Sequence, residues 1–593
     1  MWNCWWGLPA GDGNRVWADD GKWGNSFMVR TFDTHKVRIQ KELTGRLWEF
    51  TPCQGEYAGR TYRVPTPGCW ENYPDFGNYR GEGIYRTTFQ GGGNLRFEFK
   101  GVSHTAAVFL DGREIARHYN AYTVFDAIVR GLPEGEHTLE IRADNRFSGE
   151  SALHIPNDYM SYGGISRPVV MERIGDLYIR LVHVTPVWEN GVWSAGVSLV
   201  VENTADRPLT GTVSAAISGE PGVESGAGTL LWENVEFAPL ETKELTESLV
   251  FGDVEEWSME HPGLYRIYAV LTQEGKAVDD LADRFGFRVV STEGKRILLN
   301  GKPIRIKGVC RHEDHPQFGC ALPYAAMAAD LESIRHLGAN SVRTAHYPND
   351  EVFLDLCDEM GILVWEENHA RGLGLEDMQH PHFEPQAEQV IREMVSTHYN
   401  HPCIYIWGIL NECASETEYG KECYMKQLDL LRELDRTRPR SFASCKFKTD
   451  ICFGLPDVVS YNIYPKWYHD TPVGIYLDEL YRWVQEETEG SGKPFLITEI
   501  GAGGIYGYRN PYHSKWTEEY QAQTLEEQLR AVLEYGDCCG VYIWQFCDVR
   551  VSEEWFGTRP RTMNNKGIVD EYRRRKLAYD VVKRIFESYG NGL

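Results

Sequence analysis

The second half of the chain alternates short apolar runs with segments whose apolar residues recur at helical spacing. Val390, Ile391, Met394 and Val395 show that spacing within EPQAEQVIREMVSTHYN. Short apolar runs between such segments are typical of buried parallel strands. The candidate strands lie in KPIRIKGVC, ANSVRT, GILVWEE, CIYIWGI, SFASCK, DVVSYN, PFLITEI and CGVYIWQF. Eight strand–helix units predict a (β/α)8 TIM barrel over residues 291–593.

The first half of the chain shows the period of two that is typical of half-buried strands. Residues 95–101, LRFEFKG, alternate cleanly, and Asp111-Gly112 between two similar runs is a strong hairpin signal. Many short strands with glycine- and proline-bearing turns predict a jelly-roll β-sandwich over residues 1–178, with an irregular N-terminal extension. Regular strands continue over residues 179–290 and fit an immunoglobulin-like β-sandwich. The sequence therefore predicts a multidomain α and β protein.

Two glutamates follow or end apolar strand runs of the predicted barrel. Glu412 stands in WGILNE and Glu499 in LITEIG, so both are expected at the C-terminal ends of strands. Residues at those ends line the active site of TIM barrels. Two carboxylates there, without a metal-ligand cluster or a phosphate loop, indicate acid/base and nucleophilic chemistry on a glycosidic bond. For either glutamate alone, a structural ion pair is the alternative.

Composition and charge narrow the classes of partner. The 61 Lys and Arg against 86 Asp and Glu give a net charge of −25, which argues against nucleic acid and membranes but allows an anionic substrate beside a local cation. The 18 Trp, 32 Tyr and 24 Phe suit large β-rich cores and stacking on sugar rings. The 14 cysteines show no zinc spacing and indicate reduced thiols. With no signal-peptide pattern at the N-terminus, the sequence predicts a cytoplasmic protein.

Five motifs in order carry a resemblance to a known family. They are VPTPGCWEN, LLNGKPIRIKGVCRHEDHP, SVRTAHYPND, WGILNE and LITEIG. With them the chain resembles glycoside hydrolase family 2, the family of β-galactosidases, β-glucuronidases and β-mannosidases. The resemblance implies a retaining double displacement with Glu412 as acid/base, Glu499 as nucleophile and Asn411 on the sugar 2-hydroxyl. It also implies a homo-oligomer, and this mechanism requires no metal or cofactor.

The nucleophile has to stay ionised, so donors are expected around Glu499. The candidate donors are Arg343, Asn411, Tyr464 and Tyr468. For Arg343, an ion pair with Glu366 or Glu367 inside the barrel is an alternative of equal weight, and the two arrangements are compatible.

The stretch after the eighth strand points to a charged sugar. Asn564 and Lys566 there resemble the Asn-x-Lys signature with which β-glucuronidases hold the uronic acid carboxylate. An ammonium and an amide donor give charge-assisted hydrogen bonds to a carboxylate at C6. The alternative is an ordinary solvated loop lysine. Trp544, at the end of the eighth strand, is expected to form the floor on which the sugar stacks.

The resemblance places three further residues at the sugar. Asp158, within IPNDYMSYGGISRPV, is expected to reach from the jelly roll into the barrel mouth and accept from the 4-hydroxyl. A turn-capping role is its alternative. His346 and Tyr468 match sugar-contact positions, and each has the alternative of a satisfied core polar residue.

Three arginines depart from the glucuronidase pattern. Arg559 and Arg561 flank the position where a third cation is expected, which Pro560 occupies. Arg371 follows the third strand, where glucuronidases have a smaller, apolar stretch. An extra cation at that position could contact the sugar carboxylate or a different 4-hydroxyl geometry, so a galacturonate-type substrate is an alternative.

The sequence therefore predicts a retaining exo-β-glycosidase that removes terminal β-D-hexuronides from small molecules or oligosaccharides. It places β-glucuronides ahead of β-galacturonides, with a dual enzyme as an alternative. A neutral-sugar family 2 enzyme such as a β-galactosidase is a second alternative. A carbohydrate-binding protein without catalysis is a third, and the intact motifs around Glu412 and Glu499 argue against it.

Overall fold

The protein is described here by a computed structural model that covers residues 28–223 and 225–592. Most of the predicted irregular extension, residues 1–27, lies outside the described residues. Within the described residues, two β-sandwiches precede a closed β/α barrel. None of the described helices combines the length and the apolar character that crossing a bilayer requires.

The N-terminal sandwich consists of antiparallel strands that alternate buried and exposed side chains. Most of its strands form one eight-stranded sheet, and three short strands form a second sheet. Trp48, Phe50 and Phe97 are among the side chains buried in the core of this sandwich. The strands are β1 (Ile39–Glu42), β2 (Arg46–Pro52), β3 (Tyr62–Thr66), β4 (Gly68–Cys69), β5 (Glu82–Phe99), β6 (Val102–Ser103), β7 (Thr105–Leu110), β8 (Arg113–Tyr119), β9 (Phe125–Asp144), β10 (Gly164–Ile165) and β11 (Val169–Ile174).

The predicted hairpin at Asp111-Gly112 is confirmed. Strands β7 and β8 pair antiparallel on either side of it. Asp111 and Gly112 have φ of 49° and 81°, and positive φ at both central residues is what a type I′ turn requires.

The second sandwich packs a three-stranded sheet, in the order β12-β13-β16, against a four-stranded sheet, in the order β15-β14-β17-β18. Ile179, Val197 and Ile267 are buried between the two sheets. This arrangement agrees with the predicted immunoglobulin-like sandwich. The strands are β12 (Leu177–Glu189), β13 (Val192–Asn203), β14 (Leu209–Gly219), β15 (Gly228–Phe237), β16 (Thr242–Phe251), β17 (Tyr265–Gln273) and β18 (Lys276–Phe285).

The barrel contains all eight predicted strands in sequence order, and the first pairs in parallel with the last. A small antiparallel sheet precedes it, with β19 (Val290–Glu293), β20 (Arg296–Leu299) and β21 (Lys302–Pro303). The barrel strands are β22 (Ile306–Cys310), β23 (Ser341–Arg343), β24 (Leu363–Glu367), β25 (Ile404–Ile409), β26 (Arg440–Ser444), β27 (Val459–Asn462), β28 (Phe495–Ile500) and β29 (Cys538–Ile543). All their residues are buried, which explains why they are continuous apolar runs.

Helices surround the barrel, and several begin at side chains that cap the free backbone N–H groups. Asp350 accepts from Val352 N at the start of α2 (Glu351–Met360), and Gly361, with φ of 67°, caps the end of that helix. The helices are α1 (Tyr324–His336), α2 (Glu351–Met360), α3 (Leu375–Met378), α4 (Phe383–His398), α5 (Glu418–Leu434), α6 (Val473–Glu487), α7 (Glu518–Glu534) and α8 (Leu577–Ser588). After the eighth strand, β30 (Val549–Arg550) and β31 (Met563–Asn564) form a short ribbon.

The predicted domain boundaries remain predictions. Residue 178 lies inside β12, and residue 290 begins β19. The last strand of the N-terminal sandwich, β11, ends at Ile174, so the linker between the two sandwiches is short.

A buried charge network joins the two sandwiches. Glu172 on β11 accepts from Arg38 Nη1 at 3.0 Å and from Arg96 Nη1 at 2.8 Å. Arg38 also binds Asp279 on β18 at 2.7 Å. Burial alone would raise the pKa of Glu172, but the two guanidinium groups lower it well below its usual value. Glu172 therefore stays ionised and contributes stability above the pKa of an unfolded glutamate, which is lost as the pH falls.

Replacing this carboxylate should destabilise the protein. Glu172→Gln leaves two buried guanidinium groups short of a counterion, so we expect a loss of about 3 kcal/mol in the free energy of unfolding at pH 7. Urea unfolding measures it. Glu134→Gln is the matched control, because the side chains of Glu134 and its partner Arg173 are 69% and 51% exposed, and it should cost less than about 1 kcal/mol. Equal effects of the two substitutions would contradict the assigned role of the network.

Candidate active site

Glu412 and Glu499 both lie at the C-terminal mouth of the barrel. Glu499 lies near the end of β28, and Glu412 follows the end of β25. Leu410 and Glu412 have φ of 45° and 54°, a conformation that costs about 1–3 kcal/mol for a residue with a Cβ. Neighbouring strands stabilise the turn, because Leu410 N donates to Asn368 Oδ1 at 3.2 Å and Glu412 N to Ala443 O at 2.9 Å.

A chain of hydrogen bonds connects the two carboxylates. Asn462, the last residue of β27, donates its Nδ2 to Glu412 Oε1 at 2.9 Å and to Asn411 Oδ1 at 3.1 Å. Arg343 Nη2 donates to the same Asn411 oxygen at 2.7 Å, and Arg343 Nη1 donates to Glu499 Oε1 at 3.0 Å. Residues from four strand ends thus fix the two glutamates relative to each other.

The groups around Glu499 shift its pKa in opposite directions. Its second oxygen, Oε2, accepts from Tyr464 Oη at 2.5 Å. Burial and the charge of Glu412 raise the pKa of Glu499 to about 7, while Arg343 and Tyr464 hold it down. Because the repulsion from Glu412 acts only once Glu412 is charged, this value belongs to the second ionisation of the pair. The pair therefore holds one proton up to about neutral pH.

Arg343 combines both of the arrangements that the sequence left open. Besides its bond to Glu499, it binds Glu367 through Nε at 3.0 Å and Nη2 at 3.1 Å. Glu366 is not a partner, since it binds His398 at 3.0 Å. The guanidinium is fully buried, so the ion pair with Glu367 holds in place the group that binds Glu499.

His346 and Trp544 form a stacked pair at the mouth. Their ring centroids are 4.9 Å apart with planes 21° apart. His346 Nδ1 lies 2.7 Å from Glu367 Oε1, so Nδ1 carries the hydrogen. Burial lowers the pKa of His346 well below its usual value. Its Nε2 is consequently an acceptor, buried without a hydrogen-bond partner among residues 28–223 and 225–592.

The N-terminal sandwich sends Asp158 into the barrel mouth in the loop between β9 and β10. Asp158 lies 3.3 Å from Arg371 Nη2 and 3.5 Å from Arg559 Nη2, and it accepts from Asn564 Nδ2 at 3.1 Å. Burial alone would raise the pKa of Asp158, but the charges of Arg371, Lys566 and Arg559 lower it well below its usual value. The carboxylate is therefore ionised, and the charges of Arg371, Arg559 and Lys566 stabilise it.

Lys566 lies in an aromatic surrounding. Its Nζ donates to Tyr468 Oη at 3.0 Å. The same atom is 5.6, 5.9 and 5.3 Å from the ring centroids of Tyr464, Trp467 and Tyr468, within the range of cation–π attraction. Because Tyr464 also binds Glu499, the ammonium belongs to the same cluster as the carboxylate pair.

Arg561 is the predicted site residue that the structure does not bring to this cluster. Its backbone has φ of 61°, and its guanidinium pairs with Glu571. Of the two arginines that flank Pro560, only Arg559 reaches Asp158. The structure therefore separates Arg561 from the other candidate substrate-binding residues.

Several buried polar atoms at the mouth lack a hydrogen-bond partner among the described residues. They are Asp158 Oδ1, His346 Nε2, Arg371 Nε, Asn411 Nδ2 and Asn564 Oδ1. Buried polar groups are nearly always paired, so their concentration indicates the place of a polar ligand. The set contains both donors and acceptors, as recognition of sugar hydroxyls requires.

The sequence analysis missed two residues that complete the cluster and underrated a third. Asn462 orients Glu412, and Asn157 accepts from Arg371 Nη1 at 2.8 Å. Glu367, considered only as an ion-pair partner, orients both Arg343 and His346. Asn462 and Glu367 are polar residues at the end of an apolar strand run. The two catalytic candidates were found by the same signal. Asn157 carries no such signal.

One group of metal-ligating side chains occurs in the described residues, and it lies outside the mouth. Asp358, His401 and Cys403 have ligand atoms within 4.8 Å of one another. Asp358 binds His401 Nδ1 at 2.6 Å and the backbone N of Cys403 at 3.0 Å. These hydrogen bonds account for the arrangement.

Comparisons with known proteins agree with the architecture. The family model described as "Glycosyl hydrolases family 2, TIM barrel domain" matches residues 290–589. A second, described as "Glycosyl hydrolases family 2", matches residues 177–288.

Similar proteins, two of them with solved structures, match nearly the whole chain. A crystal structure titled as a GH2 beta-galacturonidase from Eisenbergiella tayi bound to galacturonate is 58% identical, with a TM-score of 0.92 over 95% of this chain and 100% of that one. A beta-glucuronidase of Bacteroides fragilis is 28% identical over 93% of this chain and 82% of its own length. The structure of a Dictyoglomus thermophilum beta-D-glucuronidase, 23% identical with a TM-score of 0.82 over 96% of this chain and 100% of that one, shares the fold. The chain belongs to glycosyl hydrolase family 2.

Proposed function

We propose that this protein hydrolyses terminal β-D-hexuronides with retention of configuration, and that galacturonides are its preferred substrates. The observation that carries the proposal is one continuous cluster. The network from Glu412 through Arg343 to Glu499 continues through Tyr464 to the ammonium of Lys566. It supplies two carboxylates that cleave the glycosidic bond and an ammonium that binds the carboxylate of the sugar.

The proposed reaction has two displacements. A Glu499 oxygen bonds to C1 of the sugar while the bond from C1 to the aglycone oxygen breaks. That oxygen takes the electron pair and a proton from Glu412. Water then attacks C1 and gives its proton back to Glu412, while the ester bond to Glu499 breaks and restores the carboxylate.

The hydrogen bonds around the pair favour the proton distribution that this reaction needs. Glu499 receives donors from Arg343 and Tyr464, both of which favour its ionised form. Glu412 receives one neutral donor, from Asn462. These donors therefore favour Glu499 as the ionised nucleophile, which leaves Glu412 to supply the proton as the acid of the proposed reaction.

The preference for a uronic acid follows from Lys566 and Asn564. The overall charge of −25 does not favour anions, so the attraction has to be local. Lys566 is 5% exposed, and a carboxylate beside a buried ammonium forms a strong, charge-assisted hydrogen bond. The Asn564 Nδ2 group is the amide donor of the same region.

The preference for galacturonide over glucuronide reverses the order inferred from the sequence. The two sugars differ in whether the C4 hydroxyl is axial or equatorial. The 58% identical relative is titled a galacturonidase, whereas the curated beta-glucuronidases of Bacteroides fragilis and Paenibacillus borealis are 28% and 25% identical. Asp158 Oδ1, which lies 3.3 Å from Arg371 Nη2 but accepts no hydrogen bond from the described residues, supplies an acceptor for that hydroxyl, and Arg371 Nε supplies a donor.

We propose a reducing, cytoplasmic location and a homo-oligomeric state as well. All 13 cysteines of the described residues are free, including Cys69 and Cys320, whose sulfurs are 3.5 Å apart. Free thiols in such numbers are typical of proteins in reducing compartments. Oligomerisation is supported by the family resemblance alone, and light scattering on the purified protein measures it.

Substrate comparison tests the proposed specificity. We expect kcat/KM for p-nitrophenyl β-D-galacturonide to exceed that for the β-D-glucuronide by about tenfold, because a single misplaced hydroxyl loses its hydrogen bonds. Both should exceed the neutral β-D-galactoside by about 100-fold or more. Equal rates on the galactoside and the galacturonide would refute a hexuronidase, and a faster glucuronide would refute only the galacturonide preference.

Lys566→Ala tests the charge that selects the substrate. Losing a charge-assisted hydrogen bond should lower kcat/KM for the galacturonide by about 100-fold while leaving the slow galactoside reaction nearly unchanged. Arg561→Ala is the matched control, since this cation pairs with Glu571, and its kcat/KM should stay within about threefold of wild type. A larger loss in the control than in Lys566→Ala would contradict the placement of the two cations.

Glu412→Gln and Glu499→Gln test the two catalytic roles. Because the second ionisation of the pair lies near pH 7, the wild-type profile of kcat/KM should fall above that pH. Glu412→Gln removes the acid, so that basic limb should disappear, and substrates with poor leaving groups should lose about 100-fold or more relative to activated aryl glycosides. Glu499→Gln should lose turnover of both classes. Retention of the basic limb in Glu412→Gln would contradict its role as the acid.

A further inference from the structure

Three buried histidines lie where the Asp158 loop meets the barrel. The ring of His154, within that loop, stacks on His104 of the sandwich with centroids 4.2 Å apart and planes 22° apart. On its other side, the ring of His369 on the barrel also lies 4.2 Å away. Each residue is 1% exposed. We call His104, His154 and His369 the histidine joint.

The histidine joint contacts the neighbours of the substrate-binding side chains. His369 Nε2 lies 3.2 Å from Tyr159 Oη, and Tyr159 adjoins Asp158. On the barrel side, His369 precedes Arg371 in the same short segment, and Arg371 Nη1 donates to Asn157 Oδ1 at 2.8 Å. Release of the histidine joint therefore displaces Asp158 on the sandwich loop. Arg371 stays with the barrel, because Asn411 N donates to Ala370 O at 3.0 Å.

The hydrogen bonds around His154 require a neutral ring. Tyr119 Oη accepts from Leu153 N at 3.0 Å and from His154 N at 3.1 Å. Its own hydrogen is therefore directed to His154 Nδ1, 2.9 Å away, which acts as an acceptor. A proton on Nδ1 would oppose that hydrogen. His154 Nε2 is buried, and no residue in the described part of the chain forms a hydrogen bond with it.

His369 is neutral for a similar reason. Asn120 Oδ1 accepts from Tyr122 N at 2.9 Å, which fixes the orientation of the amide. Asn120 Nδ2 therefore points its hydrogen at His369 Nδ1, 3.3 Å away. That nitrogen is an acceptor, and a proton on it would face the amide NH₂ group.

The surroundings supply little to stabilise added charge. Burial lowers the pKa of His104 to about 4 and of His369 to about 3, and lowers that of His154 well below its usual value. A proton on one ring also repels a proton on the next. The titratable and charged groups that face the histidine joint are Arg80, Tyr119, Tyr122, Asp144, Tyr159 and Tyr347.

We propose that His104, His154 and His369 are positioning residues that dock the Asp158 loop on the barrel only while all three are neutral, so that acid weakens substrate binding before it affects bond cleavage. The proposal rests on the proposed function where it assigns substrate contacts to Asp158 and Arg371. Glu412 and Glu499 are anchored on barrel strands and do not depend on the docked loop for their own geometry.

The direction of the pH effect follows from linkage. A histidine whose pKa is lower in the docked state than in the free loop stabilises docking above the free pKa of about 6.5. That stabilisation is lost as the pH falls, and each pH unit below about 6.5 favours release about tenfold for each histidine.

The split between KM and kcat provides the first test. In wild type, KM for the p-nitrophenyl uronide should rise about tenfold between pH 7 and pH 5, while kcat at saturating substrate changes much less. His154→Phe keeps a ring between His104 and His369 but cannot take a proton, so its KM should rise threefold at most. His369→Gln, which keeps a donor and an acceptor, should act in the same direction. KM profiles that match wild type in both variants would overturn the proposal.

His183→Phe is the matched control. His183 is a half-buried histidine stacked on a tyrosine, with its ring centroid 4.3 Å from that of Tyr399, and desolvation lowers its pKa. It lies between the second sandwich and the barrel, outside the histidine joint, so its KM profile should match wild type. A flattened profile in this control would show that the acid effect does not belong to the histidine joint.

Hydrogen exchange of the unliganded full-length protein tests docking without any substrate. Protection factors of amides in residues 152–159 should fall about tenfold from pH 7 to pH 5 in wild type and much less in His154→Phe. Unchanged protection in wild type would overturn the proposal. If wild type hydrolysed no uronide at pH 7, the proposed function would fail, and the exchange measurement would still decide on the histidine joint.

Discussion

The fully buried guanidinium of Arg343 is the interaction on which the barrel mouth depends. A buried cation is tolerated only with counterions and acceptors around it, and Arg343 binds Glu367, Asn411 and Glu499 at once. These partners come from three other strands. Because the buried guanidinium of Arg343 has to contact all three groups, it fixes the spacing of strand ends that are far apart in sequence. The unfavourable backbone of Leu410 and Glu412 is held within the same framework.

The barrel mouth contains two regions of different charge, one around the carboxylate pair and one around Asp158 and its cations. The carboxylate pair shares one proton because its members repel each other within a buried site. Around Asp158, by contrast, cations outnumber anions, with Arg371 and Arg559 on one carboxylate. Local charge thus opposes the strongly negative protein as a whole, which is how an acidic enzyme admits an acidic substrate. Tyr464 connects the two regions, because it touches both Glu499 and Lys566.

Much of this arrangement was predictable from sequence, and the reasons are physical. Parallel strands buried on both faces leave largely apolar runs, so all eight barrel strands were found, together with Glu412 and Glu499 at two of the strand ends. Asn462, which ends β27 and orients Glu412, was not found. The Asp111-Gly112 turn was found because few residues adopt positive φ cheaply. The placement of Arg561 was missed, since its pairing with Glu571 depends on the path of an irregular loop. Asn157 was missed because its partner, Arg371, is brought to it only by contact between domains.

The loop between β9 and β10 changes what counts as the catalytic unit. Asp158 enters the mouth from the sandwich, so a barrel cut out on its own would retain both glutamates and lose one wall of the sugar pocket. Insertions or deletions far upstream in the gene can therefore alter which sugar is accepted without touching a barrel residue. Selectivity therefore draws on the sandwich as well as the barrel, through Asp158 together with Arg371 and Lys566, whereas both glutamates are barrel residues.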